Sequence, residues 1–178
     1  MKKKLKVLGI SVLSLILVLI IGIGMIFKGE IRTLISFKQL NEHPFYEMTY
    51  HADYNLDEFL INGAATDDEL VSFVTKQILK GVSFDVNPDG ACSTFIATNL
   101  EDENLFGRNF DYVHSIGLIV STQPKNGYKS ISLVNLNHLG LSLENMPTKN
   151  LINRIVTLAA PYAPLDWMNE KGLAIGVL

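Results

Sequence analysis

Residues 90–112 read G-A-C-S-T-F-I-A-T-N-L-E-D-E-N-L-F-G-R-N-F-D-Y. Positions 92–98 are rich in β-branched and aromatic residues, N-L-E-D-E-N at 99–104 is a polar turn, and L-F-G-R-N-F-D-Y at 105–112 reads as a returning strand. The stretch therefore predicts a β-hairpin. Further strands are expected at 117–122, 128–136 and 172–178, with a helix from Leu151 to Ala160 stopped by Pro161. A β-meander followed by a helix places the chain in the α+β class.

Upstream of the hairpin, Thr66-Asp67-Asp68-Glu69 matches a capping box, with Thr66 as N-cap and Glu69 at the third helical position. Leu70, Phe73, Val74 and Ile78 follow at helical spacing, and Gly81 stands where a helix ends. Pro88-Asp89-Gly90 is then a turn directly before the cysteine. Residues 29–65 are mixed polar and aromatic and read as a juxtamembrane connector into a small prodomain-like region.

The N-terminus has a different character. Val7 to Phe27 carries no charge and is preceded by Lys2, Lys3, Lys4 and Lys6. About 20 apolar residues suffice to span a bilayer core as a helix. No A-x-A-like cleavage site follows, so an uncleaved signal anchor is favoured over a removed signal peptide, although Gly22-Ile23-Gly24 keeps the secreted alternative open. The lysines predict a cytoplasmic N-terminus and an extracytoplasmic remainder. Residues 1–28 hold five lysines and no acid, which leaves 10 basic and 18 acidic residues, a formal charge of −8, in the rest of the chain. That balance argues against binding to nucleic acid or anionic lipid. The expected organisation is an anchor at 1–28, a connector and helical prosegment at 29–91, and a β-rich domain from 92.

Cys92 is the only cysteine among 178 residues, which excludes an internal disulfide and a multi-cysteine metal site. A lone cysteine is often a buried hydrophobe. This one opens a strand after a turn and a Gly-Ala pair, with a helical segment before it and β structure after. Such a layout suits a precursor cut at Ala91–Cys92. The thiolate attacks the Ala91 carbonyl, and hydrolysis of the thioester frees an α-amine on Cys92. An α-amine titrates at about 7.7–8, near what a general base needs at neutral pH. Nucleophile and base would then share one residue.

G-A-C-S-T-F, L-F-G-R-N-F-D-Y and P-L-D-W-M-N-E-K-G-L-A-I-G-V-L together resemble the choloylglycine hydrolase family of bile salt hydrolases, penicillin V acylases and related linear-amide hydrolases. Cys92, Arg108 and Asp111 keep the family's spacing without a gap, and the D-x-M-N-E-K-G-L segment adds an independent match. The resemblance covers residues 90–178. It implies an N-terminal-nucleophile (Ntn) αββα sandwich, of which this chain holds the N-terminal part, with no cofactor. Cys92 would attack a linear amide, Arg108 would lie beside the sulfur, where a positive charge favours the thiolate, and Asp111 would accept a hydrogen bond from the freed α-amine. Strict strand alternation points Arg108 and Asp111 to opposite faces, so that last role requires a bend or the end of the strand. Trp167 departs from the small residue that the motif leads one to expect.

Other candidates carry less. Asp166 and Asn169 read as organisers of the turn before the last strand, and Phe95, Phe110 and Tyr112 as core. His43, His51, His114 and His138 have no metal-ligand spacing, so no metal is expected. The substrate implied is a small N-acyl amide of the conjugated bile acid, penicillin V or acyl-amino acid type. In the family, the oxyanion-hole donor, an asparagine and a second arginine come after G-L-A-I-G-V-L, so the chain reads as the N-terminal portion of such an enzyme. An inactive membrane-anchored fragment or interaction module, and an acyltransferase of the same fold, are the alternatives. The reading frame after the Leu178 codon separates a fragment from an enzyme.

Overall fold

The computed structural model describes residues 2–86, 91–112 and 115–177 of the chain. It is a mixed α+β structure with one apolar N-terminal helix. That helix, α1, spans Lys2–Ile26 and runs after Phe27 into α2, Lys28–Ser36. Its window Gly9–Ile26 has a mean hydropathy of 2.8 and buries nothing against the rest of the protein. Leu13, Leu17 and Ile20 are among many large apolar side chains left exposed along it. By length and composition it is able to cross a membrane or to act as a signal sequence.

The body is a six-stranded sheet. Its strands are β1 (Lys38–Gln39), β2 (Phe45–Thr49), β5 (Gly117–Thr122), β6 (Ser130–Asn135), β7 (Asp166–Asn169) and β8 (Ala174–Gly176), adjacent in that order. All neighbours are antiparallel except β2 and β5, which run parallel from Phe45↔Gly117 to Thr49↔Ser121. The strands β3 (Ala91–Thr98) and β4 (Asn104–Asp111) form the separate hairpin read from the sequence. Asn99 builds its turn: Oδ1 accepts from the backbone N–H groups of Glu101 and Glu103, both at 2.9 Å, and Asp102 takes φ +59°.

Period-two alternation gives the sheet two unlike faces. Tyr46, Met48, Leu118, Val120 and Val134 point to one side and are almost fully buried. They pack under helical segments: α3 (Leu56–Asn62), α4 (Asp67–Phe73) with the π-helical turn Val74–Ile78, α5 (Leu151–Val156), and two 3-10 turns at Leu136–Leu139 and Thr157–Tyr162. Phe45, Ile119, Leu133 and Asp166 point to the other side, where Phe106 and Arg108 of the hairpin face them across a cavity of about 370 Å³.

The N-cap bond forms as expected, Thr66 Oγ1 accepting from Glu69 N at 3.2 Å, while Glu69 Oε2 reaches one residue past the N-cap and accepts from Ala65 N at 2.7 Å. Gly81 ends the segment at φ +97°, donating to Thr75 O at 2.9 Å. Three expectations change. Residues 29–65 do not form a separate connector, because they supply α2, β1 and β2, and Phe37, Tyr46, Met48, Tyr50 and Tyr54 lie in the main core. Pro161 does not stop a helix. The helix tightens to 3-10 geometry from Thr157, and Pro161 sits within that turn. The segment D-W-M-N is a strand rather than a turn, so the expected 172–178 strand is the second arm of a short hairpin whose β8 ends at Gly176. The Pro88-Asp89-Gly90 turn lies outside the described residues, as does His114.

Candidate active site

The register of the hairpin places the cysteine. Cys92 is opposite Phe110 and Thr94 is opposite Arg108, so Cys92, Thr94, Phe106, Arg108 and Phe110 share one face. Cys92 and Arg108 are thus diagonal neighbours across two strands. Arg108 Nη2 donates to Cys92 Sγ at 2.8 Å, and the cysteine side chain is half-buried. The donor is a cation, so the contact to sulfur is charge-assisted.

Arg108 is itself held from the second layer. Its Nη1 donates to Asp166 Oδ1 at 2.7 Å, and Nη2 also donates to the carbonyl of Val177. The guanidinium lies 5.4 Å from the Phe110 ring centroid, and only 5 % of its side chain is exposed. Phe110 in turn stacks on Tyr112 at 5.6 Å, and His138 stands edge-on to both rings. Gly176 allows the close approach of the layers: a Cβ there would lie 3.1 Å from Phe106 Cζ and 3.4 Å from Asp166 Oδ1. Asp166 is therefore a partner of Arg108 and not an organiser of the following turn. Asn169 does organise that turn, accepting from the backbone N–H groups of Lys171 and Leu173 at 2.9 and 3.1 Å.

Asp111 is placed differently. The pairing of β4 with β3 is unbroken from Asn104 to Asp111, so no bend brings residue 111 round to the face of residue 108. Asp111 stands opposite Ala91 at the end of the ladder, beside the expected cleavage point, and its Oδ1 accepts from Asn109 Nδ2 at 2.8 Å on the other face. The structure brings Cys92 and Arg108 together and leaves the Asp111 carboxylate across the strand from the sulfur. Phe95, expected in the core, is 60 % exposed, and its ring covers Gly107 across the strand pair. Among the described residues, no group of three or more His, Cys, Asp or Glu side chains is arranged to hold a metal ion.

The residue whose role sequence reasoning misassigned is Asp166, which pairs with Arg108. An isolated aspartate far along the chain carries no local mark of pairing with Arg108. The signal available was its place in a strand-like D-W-M-N next to G-L-A-I-G, which allows the side chain to face a second layer. No protein-family profile, no curated protein and no solved structure matches this chain.

Proposed function

We propose that this chain forms the nucleophile-bearing part of a membrane-anchored cysteine hydrolase of linear N-acyl amides, built as an N-terminal-nucleophile enzyme. The observation that carries the reading is the 2.8 Å contact between Arg108 Nη2 and Cys92 Sγ, with the same guanidinium held by Asp166. A cation fixed by a second layer and aimed at the one thiol in the chain suits a nucleophile better than a packing cysteine.

Maturation starts with attack of Cys92 Sγ on the Ala91 carbonyl carbon. The C–S bond forms, the Ala91–Cys92 C–N bond breaks, and water cleaves the thioester to leave a carboxylate on Ala91 and a free amine on Cys92. In the mature enzyme that amine takes the thiol proton as Sγ attacks the substrate carbonyl. The proton then passes to the departing amine, and water attacks the thioester with the α-amine as base. Arg108 holds the sulfur in place throughout, and Asp111, at the end of β4 opposite residue 91 but on the other face, would meet the new amine only after the cut frees the Cys92 end of β3 to turn. The helix α1 keeps the catalytic part at the outer face of the membrane, in line with the lysine cluster at its N-terminal end.

Intact-mass measurement of the purified protein tests the reading. A chain beginning at Cys92 is expected from wild type and an uncut chain from Cys92→Ala. Amide hydrolysis surviving in Cys92→Ala would overturn the assignment of the nucleophile.

A further inference from the structure

We infer that cleavage at Ala91–Cys92 does not release the N-terminal segment: residues 1–91 and the chain beginning at Cys92 remain one non-covalent complex. The membrane helix then tethers the catalytic chain without a peptide bond between them. The inference rests on the proposed self-cleavage and concerns what becomes of its N-terminal product.

Sheet topology carries the argument. The bond to be cut lies in β3, within the two-stranded hairpin, whereas the segment before it has already placed β2 inside the six-stranded sheet. There β2 separates β1 from β5 and pairs with β5 over five residue positions. Two further backbone bonds extend the ladder, from Gly117 N to Pro44 O at 3.1 Å and from Tyr50 N to Ser121 O at 2.8 Å.

Side chains bind the two products just as closely. Tyr50 Oη donates to Leu158 O at 2.9 Å, Tyr162 Oη to Tyr54 O at 2.5 Å, and Asn126 Nδ2 to Asp57 Oδ2 at 2.7 Å. The Arg154 guanidinium covers Phe37 at 4.6 Å and its Nη1 donates to Leu34 O at 3.4 Å. Val74, Ile78 and Leu79 are almost fully buried in the same core as Leu136, Leu139, Leu158 and Ala160. Departure of residues 1–91 would uncover this core and bare an edge of β5, and cutting one peptide bond in the hairpin supplies nothing to offset that exposure.

The full-length protein, extracted in mild detergent, is separated by size under native conditions and then by denaturing electrophoresis. We expect two fragments that travel together in equal amounts and part only in denaturant. Fragments that elute apart without denaturant overturn the inference. A chain that stays whole defeats the proposed self-cleavage instead, and a second protein then decides retention by itself. In that protein Cys92→Ala is combined with a specific protease site replacing residues 87–90. After protease treatment, co-elution supports the inference and separation ends it.

Discussion

Arg108 and Asp166 are 58 residues apart in sequence and 2.7 Å apart at Nη1 and Oδ1, and this ion pair joins the β3–β4 hairpin to β7 of the large sheet. The same guanidinium reaches Cys92 Sγ, so one side chain both ties two layers together and positions the sulfur. The two tasks can be separated by mutation.

Removing the carboxylate leaves a guanidinium whose side chain is only 5 % exposed without its charge partner. Asp166→Ala should cost about 2–3 kcal/mol, somewhat below the loss on breaking a fully buried pair, because Asp166 keeps 21 % of its exposure. Asp166→Asn, which can still accept one hydrogen bond, should cost less. Urea midpoints of the three proteins check the order. In the two variants iodoacetamide should alkylate Cys92 several-fold more slowly than in wild type, since a loosened Arg108 no longer donates to the sulfur. Unchanged alkylation in Asp166→Ala would mean that Arg108 acts only as a clamp.

Cys92→Ala should abolish both chain cleavage and amide hydrolysis, the latter by at least about 10³-fold, as loss of a nucleophile does elsewhere. Arg108→Lys should fall between wild type and Cys92→Ala. A lysine keeps the charge but cannot donate to Asp166 and to sulfur through a rigid fork. Rates measured on a panel of N-acyl amides decide this, and wild-type turnover by Arg108→Lys would remove the fork from the mechanism.

Alkaline stability follows from three phenols. Burial pushes Tyr50 far above the usual tyrosine range, with Glu30, Tyr162, Tyr54 and Asp53 adding smaller increments. Tyr162 is raised chiefly by burial and then by Tyr54, Asp53 and Glu58. Tyr54 is raised by burial against an opposing hydrogen bond with Thr122. Above about pH 10 the unfolded chain loses these protons while the folded chain keeps them. Stability is therefore undiminished by these groups below about pH 10 and falls as pH rises beyond it. Absorbance at 295 nm, followed over the chain's six tyrosines, should show Tyr50, Tyr54 and Tyr162 ionising only as the protein unfolds. A single reversible transition for all six would contradict the burial argument.

A charge at the centre of α1 should weaken membrane insertion. Ile16→Lys places an ammonium in the apolar window Gly9–Ile26, a change of about 3 kcal/mol on the insertion scale. The fraction of protein resisting alkaline carbonate extraction should drop, with the fold of residues 38–177 unaffected. Equal extraction of both proteins would argue that α1 does not span.

Thr66→Ala should destabilise the protein by about 1 kcal/mol through loss of the N-cap bond to Glu69 N. Glu69→Gln should be nearly neutral, because an amide oxygen can still accept from Ala65 N. Thermal unfolding of the two variants gives the comparison.

Much of this arrangement is written locally. The apolar length of Val7–Phe27, the capping box at Thr66 and Glu69, and the polar turn after Thr98 each depend on neighbours within a few residues, which a sequence displays directly. The approach of Arg108 to Cys92 belongs to the same group. A turn centred on 99–103 sets Thr94 opposite Arg108, and strand alternation then puts residues 92 and 108 on one face. By the same alternation, Asp111 falls on the opposite face, and the unbroken ladder keeps it there.

The tertiary structure alone decided the rest. F-Y-E-M-T at 45–49 alternates like a half-buried strand, but a parallel neighbour 72 residues further on, Gly117 opposite Phe45, leaves no trace in either segment. Backbone pairing is made by groups that every residue carries, so the sequence marks a strand without marking its partner. Asp166 likewise became the counter-charge of Arg108 only because packing the hairpin over β7 and β8 brought two distant side chains into a shared, largely dry layer. Local chemistry thus determined which groups stand beside the sulfur within one hairpin. Long-range burial determined what holds them there, because the burial that drives layer packing is non-directional and depends on the whole core.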